Sequence, residues 1–193
     1  MNRGLEPFSA SFHRLSFAVM FGVLSLFLAG IALPWLDLLA GGPGPLSVLA
    51  FLAGRPVCHQ VADRSFCLAG VPLALCARCS GIVFGLWSGW LLAGVRRGPG
   101  TLFPASRFWV IAALVPLLAD GLLNGSGLFH SPNWWRGLTG LLAGAALGFG
   151  LLPAWNQMLV MLRCHLVNFF LLKNLFRATP RPKSGRGYLT LDT

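Results

Sequence analysis

Four long apolar runs are the feature of this sequence that most constrains its fold. They extend over residues 17–39, 75–95, 108–125 and 137–155. Each approaches or exceeds the roughly 20 apolar residues that a helix needs to cross a bilayer. The composition agrees, because 10% of the residues are charged, whereas soluble domains have about 25%. The sequence therefore predicts an all-α integral membrane protein, built as a bundle of about four transmembrane helices.

Two segments at the edges of this membrane domain, residues 1–155, need separate interpretations. The first run is longer than the apolar core of a signal peptide, so we expect it to remain as a span. Residues 156–177 look like a fifth span but contain Arg163 and His165, and charged residues are costly inside a bilayer. We expect an interfacial helix there, followed by a disordered basic tail at residues 178–193.

The positive charges predict the orientation of the chain in the membrane. With four spans, eleven of the fifteen Lys and Arg residues lie on the side of the N-terminus, and cytoplasmic flanks are rich in such residues. We therefore expect a multi-pass protein of the plasma or inner membrane with both termini in the cytoplasm. Anionic lipids near the basic tail account for the net charge of +10, so a nucleic-acid partner is not expected.

Regularly spaced glycines mark the helix faces that are expected to pack. They recur every four residues in the second and fourth spans, at Gly81, Gly85, Gly89, Gly140, Gly144 and Gly148. This spacing lines one face of a helix with small residues and allows two helices to approach closely in lipid. We expect these faces to pack helices together within the bundle. A glycine-lined ligand groove and a homo-oligomer through the same faces are the alternatives.

The loop between the first two spans, residues 55–80, concentrates reactive side chains. It contains four of the five cysteines. Cys76 and Cys79 form a C-x-x-C pair at the start of the second span, where backbone N–H groups lower the pKa of a thiol. Such thiols are good metal ligands and good nucleophiles. The candidate metal ligands are Cys58, His59, Cys67, Cys76 and Cys79.

A second polar group is expected on the same side of the membrane. Asp120 and Asn124 end the third span and share one helix face, because they are four residues apart. A carboxylate within a span is costly without a partner, and its candidate partners are three arginines. Together with hydrogen-bonding side chains they would form an outward-facing anion or polar site. Its predicted members are Gln60, Arg64, Arg78, Asp120, Asn124, Asn133 and Arg136.

The order of these motifs resembles a known family. The blocks C-H-Q, R-S-F and C-A-R-C-S-G, followed later by D-G and N-W-W-R-x-x-T-G, resemble a prokaryotic family of small integral membrane proteins that is known as a domain of unknown function. The resemblance covers residues 55–150 and implies a multi-span fold with no established activity. It also implies that Cys67 stands where relatives often have an aromatic residue, and Asn124 where they have glutamine. The signature positions are Cys58, His59, Gln60, Arg64, Ser65, Cys76, Arg78, Cys79, Gly81, Asp120, Asn133, Arg136, Thr139 and Gly140.

Several functions remain open at this level. Thiolate and imidazole ligands suit zinc or copper, and a C-x-x-C pair at a helix start also suits thiol–disulfide chemistry. Metal binding and thiol–disulfide chemistry are therefore the first expectations. The arginines instead favour an anion or a lipid head group, bound by a carrier or a membrane enzyme. A purely structural set of disulfides and ion pairs is a further alternative. We find no G-x-S-x-G, H-E-x-x-H or phosphate-binding glycine loop, so an enzyme is not the first expectation.

Overall fold

Helices dominate the computed structural model, which describes residues 10–42, 44–102 and 107–178. The helices are α1 (Ala10–Ile31), α2 (Leu33–Leu39), α3 (Pro45–Gly54), α4 (Ala77–Arg97), α5 (Arg107–Gly125) and α6 (Asn133–Ala178). Four stretches are long and apolar enough to cross a membrane: Ser11–Ile31, Ala77–Arg97, Phe108–Gly125 and Asn133–Phe170. The predicted all-α membrane protein is confirmed.

The first predicted span differs from the observed helices. Residues 17–39 were expected to form one helix, but α1 ends at Ile31 and α2 begins at Leu33. Pro34 lies in the first turn of α2. Because proline has no backbone N–H, it is tolerated at a helix start but cannot continue the hydrogen bonds of a preceding helix. The chain therefore starts a new helix at this point.

The C-terminal helix also differs from the prediction. No helix begins at residue 156, because α6 continues through it from Asn133 to Ala178, with Pro153 inside. The residues divide into two compact units, Met1–Gln157 and Met158–Thr193. The interfacial position of residues 156–177 stays a prediction. The predicted basic tail lies outside the described residues, apart from Ala178 at the end of α6.

The glycine faces of α4 and α6 are in contact within one chain. A Cβ atom added at Gly85 would collide with the carbonyl oxygen of Leu141, and one added at Gly144 would collide with that of Ile82. The other four glycines of the two stripes face carbonyl oxygens in the same way. A helix carbonyl cannot move aside, so only glycine allows this approach. The packing prediction is confirmed, and the homo-oligomer stays a prediction.

Aromatic side chains join α1 to α4. The indole ring of Trp90 is fully buried, with 0% exposure, and stacks on Phe17 with ring centroids 5.8 Å apart. The Trp87 indole N–H donates a hydrogen bond of 2.8 Å to the Ser25 hydroxyl. Stacking and burial of such large rings stabilise the contact between the two helices.

The segment between α3 and α4 is folded back onto the helix ends. It contains a short 3₁₀ turn, Ala62–Arg64, and a hairpin of β1 (Cys67–Leu68) and β2 (Val71–Pro72). Ala69 and Gly70 form the hairpin turn with φ of 47° and 82°, the positive values that a tight two-residue turn requires. The Trp35 indole donates a hydrogen bond of 3.0 Å to the Val71 carbonyl oxygen. This bond holds the hairpin against α2.

Candidate functional site

Three of the predicted ligands form a thiol cluster at the start of α4. The sulfur atoms of Cys58, Cys76 and Cys79 all lie within 4.8 Å of one another. Cys76 is the N-cap residue of α4 and Cys79 lies in its first turn, so the C-x-x-C spacing places both sulfur atoms on one side of the helix. Cys58 comes from the folded-back loop and is buried against Ile31 and Leu75.

Hydrogen bonds within the thiol cluster favour the thiolate form of one member, Cys76. The backbone N–H groups of Gln60 and Cys76 donate to the Cys58 sulfur at 3.4 and 3.3 Å. A hydrogen bond from Cys79 lowers the pKa of Cys76, which precedes the apolar helix, to about 5. The thiolate is the form that binds metals and attacks disulfides. Cys76 therefore has the form that soft-metal binding and thiol chemistry require.

The other two predicted ligands lie outside the thiol cluster. His59 is exposed and lines the cavity next to the three sulfur atoms. Cys67 is exposed in the hairpin, where its thiol lies 3.7 Å from the Ser65 carbonyl oxygen. The resemblance had set Cys67 apart as a position where relatives often have an aromatic residue. His59 shares the cavity walls with the three cysteines, whereas Cys67 does not.

Asp120 forms a buried ion pair at the end of α5. Its carboxylate pairs with the guanidinium group of Arg78. It also accepts hydrogen bonds from the Ser131 hydroxyl and, at 3.0 Å, from the Asn124 amide. A buried charge is tolerated when it is paired and hydrogen-bonded in this way. Sequence reasoning missed Ser131, for which its position in the loop before α6 was the only signal.

Arg136, in the first turn of α6, is buried with 8% exposure. Its guanidinium group donates to the side-chain oxygens of Asn124 and Asn133 at 2.9 and 3.3 Å. Asn133 in turn donates to the carbonyl oxygens of Asp63 and Ser65 at 3.1 and 3.0 Å. Asn133 thus connects α6 to the cysteine-containing loop. Arg136 forms no ion pair with any carboxylate of the described residues.

One cavity of about 180 Å³ brings the thiol cluster and the arginines together. Of the predicted polar site, its walls include Arg64, Arg78, Asn124 and Arg136. Gln60 is not part of the walls. Its amide instead donates to the carbonyl oxygens of Phe51 and Ala74 at 2.7 and 2.9 Å, which ties α3 to the segment before α4.

Membrane-length helices with thiols and arginines gathered at their ends define a small polytopic membrane protein. The chain belongs to the family described as predicted membrane protein (DUF2085), which matches residues 58–149. The matched region contains every candidate residue of the site. The family resemblance is confirmed.

Two relatives carry the comparison further. The chain is 32% identical over 114 residues to an uncharacterised protein of Methanocaldococcus jannaschii, covering 59% of this chain and 73% of that protein. It is 31% identical over 93 residues to an uncharacterised protein of Methanothermobacter thermautotrophicus, covering 48% of this chain and 82% of that protein. No solved structure matches. The family description gives the membrane class.

Proposed function

We propose that the protein binds a soft metal ion, zinc or copper(I), through Cys58, Cys76 and Cys79. The observation that carries this proposal is the mutual distance of the three sulfur atoms, at most 4.8 Å. With metal–sulfur bonds of about 2.3 Å, sulfur atoms around one ion are about 3.8 to 4.0 Å apart. Side-chain rotations that shorten the sulfur–sulfur distances by up to about 1 Å would close the site.

The surroundings of the thiol cluster support a charged metal–thiolate complex. Zinc with three thiolates has a net charge of −1, and the arginines of the cavity would balance it. The backbone N–H groups that donate to the Cys58 sulfur would hold that ligand in place, as outer hydrogen bonds do in metal sites. Three protein ligands leave a position for His59 or for an exchangeable ligand. Such an open site suits metal sensing, delivery or transport.

Metal content tests this proposal. We expect protein purified without chelator to contain about one equivalent of zinc or copper, and the Cys76→Ser, Cys79→Ser double variant to lose it. A Cys67→Ser, Cys164→Ser double variant is the matched control, because both of these cysteines are exposed and outside the cluster. Metal content that is equal in the two double variants would remove the proposal.

Thiol–disulfide exchange is the second candidate, favoured by the place of Cys76 at the N-cap of α4 with Cys79 in the next turn. In this reaction the Cys76 thiolate attacks a partner disulfide and displaces one partner thiol. Cys79 then attacks the mixed disulfide and releases the second thiol, so the partner is reduced while Cys76 and Cys79 become a disulfide. Mass spectrometry after thiol blocking, with and without reductant, separates the candidates: a metal site contains thiols that need no reduction.

The positive charges favour a plasma or inner membrane location with the site on the outer side and both termini in the cytoplasm. Basic residues near the C-terminus would then meet anionic lipids. A membrane-impermeant maleimide applied to intact cells tests the orientation, because Cys67 is exposed at the end of the bundle that holds the site. Labelling of Cys67 only after cell lysis would show that the protein has the opposite orientation.

A further inference from the structure

Positive charge exceeds negative charge around the cavity beside the thiol cluster. Arg136 is buried and is held by amide oxygens, which have no formal charge. Arg78 pairs with Asp120, the one carboxylate that the described residues bring to these arginines. Arg64 is exposed on the cavity wall. Because a buried guanidinium group is costly without a counter-charge, this arrangement favours the entry of an anion.

Arg78 also has a buried hydrogen-bond donor without an acceptor. Its terminal nitrogen donates to Asp120, but its Nε atom has no hydrogen-bond partner among the described residues. Buried polar groups in proteins are hydrogen-bonded in the great majority of cases. Arg136 has five N–H donors and uses two nitrogen atoms in its bonds to Asn124 and Asn133. Both arginines line the cavity, so an acceptor bound there would meet N–H donors of both side chains.

We propose that this cavity binds a small oxyanion, the phosphate or carboxylate group of a ligand, through Arg78 and Arg136. Guanidinium groups match the geometry of such oxygens and form strong charge-assisted hydrogen bonds with them. The volume of about 180 Å³ admits one such group together with a small attached part. Arg64 at the exposed wall would attract the anion from solution.

The proposed anion site and the thiol cluster form one composite site, since the same cavity is lined by both. A ligand held there by its oxyanion would have its remaining atoms next to the sulfur atoms. The oxyanion could belong to a free small anion or to the head group of an anionic lipid. The arginines bind the same chemical group in both cases, so the two sources are separated by experiment.

A different role for the arginines is to offset the charge of the thiolates. In that case the protein binds no anion in its metal-free state, and removal of a guanidinium group alters thiol reactivity alone. The test therefore uses reduced, metal-free, full-length protein in an uncharged detergent. Metal binding does not enter this measurement, so its outcome is independent of the proposed metal site.

The experiment titrates inorganic phosphate and, separately, acetate into wild-type protein by calorimetry, with chloride at matched ionic strength as the reference. The first variant is Arg136→Gln. The second is Arg78→Lys, which retains a positive charge for Asp120 but has no Nε–H donor. The matched control is Arg55→Gln, an exposed arginine outside the cavity walls. Thermal melts establish that each variant is folded.

We expect saturable binding of at least one of the two anions to wild type and to Arg55→Gln, and binding at least about tenfold weaker in both cavity variants. No saturable binding to folded wild-type protein, or equal affinity in all four proteins, would overturn the proposal. Short-chain phosphatidylglycerol is then titrated in the same way. Tighter arginine-dependent binding than phosphate identifies a lipid head group, and weaker binding identifies a free anion.

Discussion

The two ends of the helix bundle within Met1–Gln157 both bury polar side chains, but they use them differently. At the end without the thiols, Asn156 is fully buried and donates to the carbonyl oxygens of Pro99 and Thr101 at 2.8 and 2.9 Å. Its side-chain oxygen lies 3.2 Å from the imidazole Nδ1 of His13. These bonds connect α1, the α4–α5 loop and α6. Their role is structural, because they hold these elements together at this end.

The end with the thiol cluster is built from charges and reactive groups. Besides the amide–carbonyl bonds of Gln60 and Asn133, this end contains the charged groups of Arg78, Asp120 and Arg136. Three cysteines line the same cavity as the arginines. One buried donor, the Nε atom of Arg78, has no partner in the part of the chain that the structure describes. The comparison teaches that polarity alone does not mark a functional site in a membrane bundle. The thiols and an unsatisfied donor beside a cavity are what distinguish this end from the other.

The largest loss of stability is expected from disrupting the packing of α4 on α6. Both ends of the bundle depend on this contact. A Gly144→Leu substitution would drive a side chain into the Ile82 carbonyl, so we expect a loss of about 3 kcal/mol or more in stability. The measurement is the yield and melting temperature of monodisperse protein in detergent. Gly121→Leu in α5 is the control, since no atom lies within 4 Å of its Cβ position. Equal melting temperatures would contradict the packing described.

The second largest loss of stability is expected at the end with the charged residues. Asp120→Leu leaves the Arg78 guanidinium without its partner and is expected to destabilise the protein by about 3 kcal/mol. Removing both charges, with Arg78→Leu added, is expected to restore part of this loss, because the uncompensated charge is then gone. Thermal or denaturant unfolding of the two single variants and the double variant checks this. A double variant as unstable as the sum of the single variants would show that the pair is not coupled.

A smaller effect is expected at the opposite end. Asn156→Leu leaves two backbone carbonyl oxygens and the His13 side chain with fewer partners, which is expected to cost about 1 to 3 kcal/mol. Metal content should stay at the wild-type level, because this residue belongs to the structural end. The same unfolding and metal measurements apply. A loss of metal in a folded Asn156→Leu protein would show that the two ends do not act separately.

The smallest effect concerns the acidity of one thiol. With a pKa of about 5, Cys76 of the reduced, metal-free protein is a thiolate at about pH 6, whereas an ordinary cysteine with a pKa of about 8.5 is not. Its alkylation by iodoacetamide should therefore stay constant down to about pH 6 and fall only as the pH drops through about 5. Peptide mass spectrometry measures the rate.

The control for this measurement is Cys79→Ala, which removes the hydrogen bond that lowers the pKa of Cys76. We expect its alkylation profile to shift to higher pH. A wild-type midpoint near pH 8.5 would contradict the hydrogen-bonded thiolate, and so would identical profiles in the two proteins.

Much of the fold followed from the sequence because it depends on local patterns. Apolar length predicted the membrane helices, and the four-residue spacing of glycines predicted the contact of α4 with α6. The break after Ile31 was missed although Pro34 signals it, because the apolar run continues across it. The continuity of α6 past residue 156 was also missed, because Arg163 and His165 led us to expect a separate interfacial helix there.

The sequence predicted which residues belong to the candidate site better than it predicted how they are arranged. Motif spacing identified Cys76 with Cys79, and helix spacing identified Asp120 with Asn124. Which arginine pairs with Asp120 depends on how α4, α5 and the loops pack, and no local pattern gives that. The same holds for Ser131 and for the separation of Cys67 from the cluster. Long-range packing decides these points.

X-ray absorption spectroscopy of the metal-loaded protein tests the central claim most directly. If Cys58, Cys76 and Cys79 bind one ion, the spectrum will show about three sulfur atoms at about 2.3 Å, with one nitrogen or oxygen atom completing the shell. Substitution of Cys58 by serine should replace one sulfur atom in that shell with a lighter atom. A first shell of nitrogen and oxygen atoms without sulfur would contradict the account.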